Sequence, residues 1–293
     1  MSNLKGTFTA LITPFKNGQI DFESLEKLIQ FQLKNGVDGF VINGTTAESP
    51  TLEKSEVSEL FKFARKVSGP NVPLIVGTGS NSTAQTMKDS RQAQEMGADA
   101  VLVVVPYYNK PPQRGLEAHF KAVAESISIP VILYNVPGRT ITSLESQTIS
   151  NLAKIENITS IKEASGKIDF ANEIIKSVDE SFILLSGDDG TYVEFLAAGG
   201  HGVISVATHV IPKQMVQWRA WAQAGELDKA REDIKKYSRL IDLLFIEANP
   251  IPVKKALELM GIISSAELRL PLMELADSNT EMLRKEMQGL GLV

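Results

Sequence analysis

The chain of 293 residues contains no cysteine and only three histidines. The absence of cysteine excludes disulfides, thiolate metal sites, iron–sulfur clusters and cysteine nucleophiles, and it is compatible with a reducing compartment. No apolar run approaches the roughly 20 residues that a helix needs to cross a bilayer. The first residues also lack the apolar core and small-residue cleavage site of an export signal. We therefore expect a cytoplasmic protein without a membrane span.

An excess of charge of one sign is also missing. Thirty Lys and Arg residues stand against 35 Asp and Glu residues, the net charge is -5, and the charges are scattered along the chain. Because no basic face is available to neutralise a phosphate backbone, nucleic acid is not an expected partner. The apolar share of 43% is that of a globular protein, and the length allows one large domain or two ordinary ones.

Short β-branched apolar runs alternate with longer segments of helical period, which is the pattern of βα units on a parallel sheet. The runs predict strands at Phe8–Ile12, Gly39–Asn43, Leu74–Gly77, Ala100–Val104, Val131–Tyr134, Ile158–Lys162, Phe182–Leu185 and Gly202–Val206. Helices between them are predicted to follow the capping residues Asp21, Thr51, Ser82 and Ser143, among others. Eight such units in about 225 residues predict a closed (β/α)8 TIM barrel, with an open doubly wound sheet as the alternative.

The strand signal stops after Gly225. Helices are predicted beyond it at Glu226–Leu244, Pro252–Met260 and Thr280–Leu290, with a stiff turn at Asn249-Pro-Ile-Pro252. We therefore expect two domains, a catalytic barrel over residues 1–225 and a small C-terminal helical domain over residues 226–293.

Residues that follow the strands of a parallel barrel gather at one rim, where barrel enzymes have their active sites. Lys162 ends an apolar strand at this rim, and buried lysines are uncommon. Removal of an ammonium from water favours the neutral amine, which can attack a carbonyl carbon and form an imine. The alternative is a lysine that reaches solvent and pairs with Glu163 or another neighbour.

Tyr134 ends the neighbouring strand and could move protons to and from an imine. A phenol is weakly acidic, so a relay through other hydroxyls would be needed, for which Thr45 or Thr46 and Tyr108 are candidates. A rim-filling aromatic with a wet hydroxyl is the alternative for each tyrosine. Backbone N–H groups of the turn at Gly44-Thr45-Thr46 could bind a carboxylate, although an ordinary turn needs no function.

Arg139 follows Pro137-Gly138, a stiff and then flexible pair that would hold a loop over the rim. A guanidinium can bind a carboxylate at two points, and a solvent-exposed loop arginine is the alternative.

No complete dinucleotide fingerprint, phosphate loop, nucleophile elbow or two-histidine zinc motif occurs, so no cofactor or metal is implied. His201 precedes the last strand, at the opposite rim, and is expected to be structural.

An ordered set of motifs carries a family resemblance. It comprises Gly44-Thr-Thr-Ala-Glu48, Tyr107-Tyr-Asn109, Tyr134-Asn-Val-Pro-Gly-Arg-Thr140, Ile161-Lys-Glu-Ala164, Ser186-Gly-Asp-Asp189, Gly199-Gly-His-Gly-Val-Ile-Ser205 and Asn249-Pro-Ile-Pro252. With these motifs the chain resembles the dihydrodipicolinate synthase family of pyruvate-dependent lyases and aldolases nearly from end to end.

The resemblance implies a barrel with a C-terminal helical domain, assembled as a homotetramer from two tight dimers. Pyruvate would form an imine with Lys162, and the derived enamine would add to the aldehyde of L-aspartate 4-semialdehyde. The product would be 4-hydroxy-tetrahydrodipicolinate, in the first committed step of diaminopimelate and lysine biosynthesis. No cofactor would be required beyond the covalent imine. Tyr107 or Tyr108 would enter the site of the partner subunit.

The resemblance also implies residue roles. Tyr134 would be the general acid and base, and Thr45 and Tyr108 would complete the proton relay. Thr46 would hold the pyruvate carboxylate, and Arg139 would hold the carboxylate of the semialdehyde. The remaining site walls would be Gly187, Asp188, Ile204 and Asn249.

The chain departs from the family pattern in two places. Ala47 replaces the usual glycine, which is tolerable only if its φ is negative. Many members bind L-lysine as an inhibitor at the dimer interface, through acidic or imidazole groups that face its ammonium. The matching positions here are Ser49, Lys54, Val57, Asn81, Gln85 and Tyr107. Because they offer little negative charge, we expect feedback inhibition to be weak or absent.

Two other functions compete with this one. A sister aldolase acting on N-acetylneuraminate or a keto-deoxy sugar acid would use the same lysine and tyrosine, but Arg139 favours a substrate with a second carboxylate. A catalytically silent sensor on the same barrel would not need Lys162, Tyr134 and the relay hydroxyls together, yet this chain has them all.

Overall fold

The structure, a computed structural model, describes residues 4–293, so the first three residues of the segment inspected for an export signal lie outside it. The strands are β1 (Thr7–Ala10), β2 (Phe15–Lys16), β3 (Gln19–Ile20), β4 (Gly39–Ile42), β5 (Leu74–Gly77), β6 (Ala100–Val104), β7 (Val131–Asn135), β8 (Ile158–Glu163), β9 (Ile183–Ser186) and β10 (Gly202–Ser205). The helices are α1 (Phe22–Lys34), α2 (Lys54–Ser68), α3 (Thr83–Glu95), α4 (Gln113–Glu125), α5 (Pro137–Thr140), α6 (Ser146–Leu152), α7 (Ile168–Ser177), α8 (Tyr192–Ala197), α9 (Pro212–Gln223), α10 (Leu227–Leu243), α11 (Ile251–Leu259) and α12 (Asp277–Gly289). Short 3₁₀ turns cover Thr45–Ala47, Ser49–Thr51 and Ala207–His209.

The barrel strands form one closed sheet in the order β1-β10-β9-β8-β7-β6-β5-β4. The predicted (β/α)8 TIM barrel is therefore confirmed, and the open-sheet alternative is wrong. Every predicted strand is present, with its ends displaced by no more than two residues. The barrel strands are buried along most of their length, as expected when helices cover a parallel sheet. Within residues 4–293, no helix is long and apolar enough to cross a membrane.

The chain divides into two compact units. The first unit contains Pro73–Ile204 and the described residues before Thr7, and the second contains Thr7–Val72 and Ser205–Val293. The helices expected near the C-terminus are present as α10, α11 and α12. The proposed boundary between residues 225 and 226 stays a prediction.

A hairpin that the sequence analysis did not predict joins β2 to β3. Its turn residues, Asn17 and Gly18, both have positive φ, of 53° and 77°. A two-residue turn with this geometry suits the twist of paired strands, and Asn-Gly is its strongest sequence signal. The dipeptide was therefore sufficient to predict the hairpin.

Helix capping follows the sequence prediction at two positions and departs from it at two others. Asp21 and Ser82 cap α1 and α3 as predicted. Thr51 and Ser143 do not cap α2 and α6. Helix α2 begins instead after Glu53, which forms a reciprocal capping box with a glutamate in the first turn. The box satisfies two backbone N–H donors, so the helix begins there.

A buried ion pair lies inside the second unit. Lys254 of α11 is fully buried, and its Nζ donates to Glu48 Oε1 and to the carbonyl oxygen of Glu267, at 2.8 Å from the latter. Glu48 Oε2 accepts the backbone N–H of Arg269 at 2.9 Å. The ring centroid of Phe15 lies 4.3 Å from Lys254 Nζ. Burial lowers the pKa of Lys254 to about 8, while the Glu48 carboxylate opposes this shift.

The substitution Lys254→Met should lower the free energy of unfolding by about 3–5 kcal/mol, because it leaves a buried carboxylate without its counter-ion. The double variant K254M/E48Q should recover part of this loss, since it removes the uncompensated charge. Urea denaturation followed by circular dichroism measures both effects. Lys27→Met is the matched control, because Lys27 pairs with Glu23 on the surface and should contribute little. Equal losses for the two lysine variants would contradict the prediction.

Candidate active site

Lys162 and Tyr134 are directly opposite each other on β8 and β7. Because side chains alternate along a strand, opposed residues of neighbouring strands project from the same face of the sheet. Lys162 Nζ lies 4.4 Å from the centroid of the Tyr134 ring, and each residue is 7% exposed. The structure thus brings together the two residues predicted to form and protonate an imine.

The Lys162 amine has no counter-ion within residues 4–293. Glu163 projects from the opposite face of the strand, where its carboxylate accepts hydrogen bonds from Asn135 Nδ2 at 2.7 Å and from the N–H of Ser165 at 2.5 Å. The alternative in which Lys162 pairs with Glu163 is therefore wrong. A buried amine without an ion pair is suited to act as a nucleophile.

Gly187 follows β9 and leaves room for the lysine side chain. A Cβ atom at this position would lie 2.7 Å from Lys162 Cε and 2.6 Å from Ala164 Cβ, so no larger residue fits without displacing one of them. The next residue, Asp188, directs Oδ1 to the N–H and the hydroxyl of Thr191, at 2.9 and 2.8 Å. Gly187 therefore borders the nucleophile, whereas the Asp188 carboxylate stabilises a turn.

Arg139 lies in the helical turn α5 rather than in the loop that the sequence analysis expected. Pro137 occupies the first position of this turn, where the missing N–H costs nothing and the fixed φ suits a helix. The Arg139 side chain is exposed. Ile141 follows with a φ of 62°, which is strained for a β-branched residue.

Tyr108 is the most exposed large apolar or aromatic residue described, with 89% of its surface accessible. Its φ is 73°, and the N–H of Asn109 bonds to the carbonyl oxygen of Tyr107 at 2.9 Å, which makes a strained three-residue turn. Asn109 Nδ2 anchors the turn by donating to the carbonyl of Asn81 at 2.9 Å. The structure therefore does not pack Tyr108 against Lys162 of its own chain.

The predicted carboxylate-binding turn is the 3₁₀ turn Thr45–Ala47 in the second unit. Thr46 is buried, and its Oγ1 accepts a hydrogen bond from Asn249 Nδ2 at 2.9 Å. The carbonyl oxygen of Ala47 accepts the hydroxyl of Thr13 at 2.9 Å. Ala47 does not have a positive φ, so its methyl group is tolerated. Thr46 and Asn249, which the sequence placed in one site, are therefore brought together.

Glu48 ends this turn in the left-handed conformation, with a φ of 59°. Its carboxylate is held by Lys254 and by the N–H of Arg269, so the turn is tied to residues more than 200 positions away. The sequence analysis included Glu48 in a motif but gave it no role, and it missed Lys254 and Arg269. The available signal was Lys254 itself, a charged residue on the buried face of Ile251–Leu259.

The other predicted residues are distributed over the two units. Ile204 is buried in β10 of the first unit. Of the possible effector residues, the second unit contains Ser49, Lys54 and Val57, and the first contains Asn81, Gln85 and Tyr107. The Gln85 amide donates to Asp89 at 2.8 Å. His201 Nδ1 accepts the N–H of Leu184 at 3.1 Å, and its structural role stays a prediction.

Comparison with known proteins identifies relatives over the full chain. A model of the dihydrodipicolinate synthetase family matches residues 3–290. A 4-hydroxy-tetrahydrodipicolinate synthase of Bdellovibrio bacteriovorus is 69% identical over 293 residues, which is 100% of both chains. A synthase of the same name from Syntrophus aciditrophicus is 48% identical over 289 residues, 99% of both chains.

Solved structures of proteins similar to this chain have the same fold. The crystal structure of dihydrodipicolinate synthase from Thermotoga maritima has a TM-score of 0.97 and 43% sequence identity, and the match covers 99% of each chain. These relatives confirm the resemblance carried by the sequence motifs. The chain belongs to the dihydrodipicolinate synthetase family.

Proposed function

We propose that this chain is a lyase that condenses pyruvate with L-aspartate 4-semialdehyde to give 4-hydroxy-tetrahydrodipicolinate. One observation carries the proposal: a buried Lys162 amine, with no counter-ion among residues 4–293, lies beside the Tyr134 ring, in a chain 69% identical to a synthase of this name over its full length. The reaction is the first committed step of diaminopimelate and lysine biosynthesis. We also propose that the enzyme works in the cytoplasm.

Lys162 begins the reaction by attacking the ketone carbon of pyruvate, and loss of water gives an imine. Loss of a methyl proton converts the imine to an enamine, whose carbon adds to the aldehyde of the semialdehyde. The amino group of the semialdehyde then attacks the imine carbon, releases Lys162 and closes the six-membered ring. One water molecule is lost overall. The lysine amine is regenerated, so the proposed cycle uses no cofactor.

Tyr134 is the general acid and base in this proposal, because its ring lies against the lysine amine. A phenol with a pKa of about 10 in water needs a relay to exchange protons at neutral pH. Thr45 supplies one hydroxyl and Tyr108 the other. Since Tyr108 is 89% exposed in its own chain, we propose that it serves the site of a second copy, within a homotetramer built from two tight dimers.

Substrate carboxylates are held by separate groups. Thr46 and the neighbouring backbone hold the carboxylate of pyruvate, and the Asn249 amide fixes the Thr46 hydroxyl for this task. Arg139 holds the carboxylate of the semialdehyde; it is an exposed residue of the helical turn α5, which follows β7. Gly187, Asp188 and Ile204 contribute the walls.

Reduction with borohydride in the presence of pyruvate should convert the imine to a stable secondary amine on the peptide that contains Lys162. Peptide mass spectrometry locates the added group. The substitution Lys162→Arg should abolish the adduct, whereas Lys167→Arg, at an exposed lysine nearby, should leave it intact. Adding the semialdehyde should reduce trapping because it consumes the enamine. An adduct at another lysine, or none, would refute the proposed function.

Arg139→Ala should raise the KM for L-aspartate 4-semialdehyde by roughly 10- to 100-fold, the range expected when charged hydrogen bonds worth about 1.5–3 kcal/mol are lost. Arg139→Lys should recover little, because an ammonium cannot bind a carboxylate at two points. Steady-state kinetics with each substrate varied in turn measure the effect. Arg114→Ala, on the exposed face of α4, is the control. A defect confined to pyruvate would contradict the assigned role.

L-Lysine should inhibit this chain weakly or not at all. We expect this because Lys54, Val57 and Gln85 stand where an effector's ammonium would need negative charge, and the Gln85 amide is already bound to Asp89. Initial rates with limiting pyruvate and increasing L-lysine test it. Strong inhibition by submillimolar L-lysine would overturn the expectation.

A further inference from the structure

The last two residues of β7 and β8 form two adjacent cross-strand pairs. Tyr134 lies opposite Lys162, and Asn135 lies opposite Glu163. Because successive side chains of a strand project from opposite faces, the first pair and the second pair are on opposite sides of the same sheet. The proposed chemistry uses only the first pair.

The Asn135–Glu163 pair is buried and fully bonded. Glu163 Oε2 accepts Asn135 Nδ2 at 2.7 Å, and Glu163 Oε1 accepts the N–H of Ser165 at 2.5 Å. Asn135 Oδ1 accepts the N–H of Leu144 at 3.0 Å. Both ends of the Asn135 amide therefore have fixed roles, and the Glu163 side chain must accept at both oxygens. Only a carboxylate satisfies this pattern without conflict.

The bond from Leu144 to Asn135 closes the segment that carries Arg139. This segment leaves β7 after Asn135, passes through the helical turn α5 and the strained Ile141, and returns at Leu144 to the side chain from which it started. A segment with a strained residue adopts one conformation only when its surroundings determine it. The Asn135 amide is one of these determinants, together with the bonds from Thr140 Oγ1 to the carbonyl of Thr142 at 2.6 Å and from Gln113 Nε2 to the carbonyl of Ser143 at 2.8 Å. Glu163 in turn holds the Asn135 amide.

We infer that Asn135 and Glu163 are positioning residues that fix the Arg139 segment relative to the Lys162 amine. The inference rests on the proposed function, in which Arg139 binds the semialdehyde and Lys162 carries the enamine. The pair contacts neither substrate and acts through the backbone on which both groups are mounted. A displacement of about 1 Å between reacting groups can cost about 100-fold in rate.

The electrostatics of the pair support this role. Burial raises the pKa of Glu163, and the hydrogen bonds from Ser165 and Asn135 oppose the shift by favouring the carboxylate. A buried carboxylate is expensive to maintain, and an apolar pair would avoid this cost but would leave the N–H groups of Leu144 and Ser165 without their acceptors. The carboxylate instead provides two acceptors in fixed directions, which an apolar side chain cannot do.

Glu163→Gln tests the pair because an amide has a single acceptor oxygen. Either the Asn135 amide or the Ser165 N–H would then face an NH₂ group. Rotating the Asn135 amide by 180° only moves the conflict to the N–H of Leu144. We expect kcat/KM for L-aspartate 4-semialdehyde to fall about 10- to 100-fold, whereas pyruvate should still be trapped on Lys162 by borohydride.

The double variant N135D/E163Q exchanges the amide and the carboxylate, so that position 163 donates to position 135, and it should rescue activity. The new amide at position 163 would donate its NH₂ to the new carboxylate at position 135 and accept the N–H of Ser165. The second oxygen at position 135 would accept the N–H of Leu144. Every hydrogen bond is thereby restored, so most of the lost kcat/KM should return. Asn135→Asp alone places two carboxylates in contact and should be impaired.

Glu173→Gln, an exposed change of the same chemistry on α7, is the control and should behave as the unmodified protein. Circular dichroism and thermal unfolding report whether each variant folds. A merely structural role would lower the unfolding temperature without a loss selective for the semialdehyde. Any of three results would overturn the inference. These are unchanged kinetics in folded E163Q, equal losses of kcat/KM for the two substrates, or a double variant in which neither folding nor activity is rescued. Failure of trapping in the unmodified protein would instead reject the proposed function.

Discussion

The pairing of Tyr134 with Lys162 across two parallel strands is the constraint on which the rest of the site depends. A ladder of backbone hydrogen bonds fixes how far apart the strands lie, and the alternation of side chains decides which residues share a face. A shift of one residue in β8 would place Glu163 beside Tyr134 and turn Lys162 toward the helices. The same register therefore sets the inner pair and, on the outer face, the pair formed by Asn135 and Glu163.

The inner pair could be predicted from sequence because it requires only local information. Strands of a covered parallel sheet read as continuous apolar runs, so a lysine or a tyrosine at the end of such a run stands out. The position of Lys162 then follows from the polarity of the barrel. The outer pair was missed because Asn135 and Glu163 are ordinary polar residues whose importance appears only when the register brings them together.

Local sequence patterns could not predict contacts between residues that are far apart in the chain. The bond between Lys254 and Glu48 spans 206 positions, and nothing near either residue identifies its partner. A periodicity analysis would have placed Lys254 on the buried face of α11 without naming Glu48. The hairpin at Asn17-Gly18 differs, since its signal is local and was sufficient.

The two units fix their functional groups by different means, and this difference explains which groups the sequence reveals. In the first unit, the amine and the phenol are mounted on strands whose position is set by backbone hydrogen bonds, which every residue type except proline can donate. In the second unit, the turn Thr45–Ala47 is held by side chains, among them Asn249, Lys254 and the carboxylate of Glu48. The turn that supplies Asn249 and the helix α11 that supplies Lys254 therefore contribute by positioning rather than by chemistry. Residues that react must have particular side chains and can be recognised in the sequence, whereas residues that hold other groups in position can be recognised only once the fold is known.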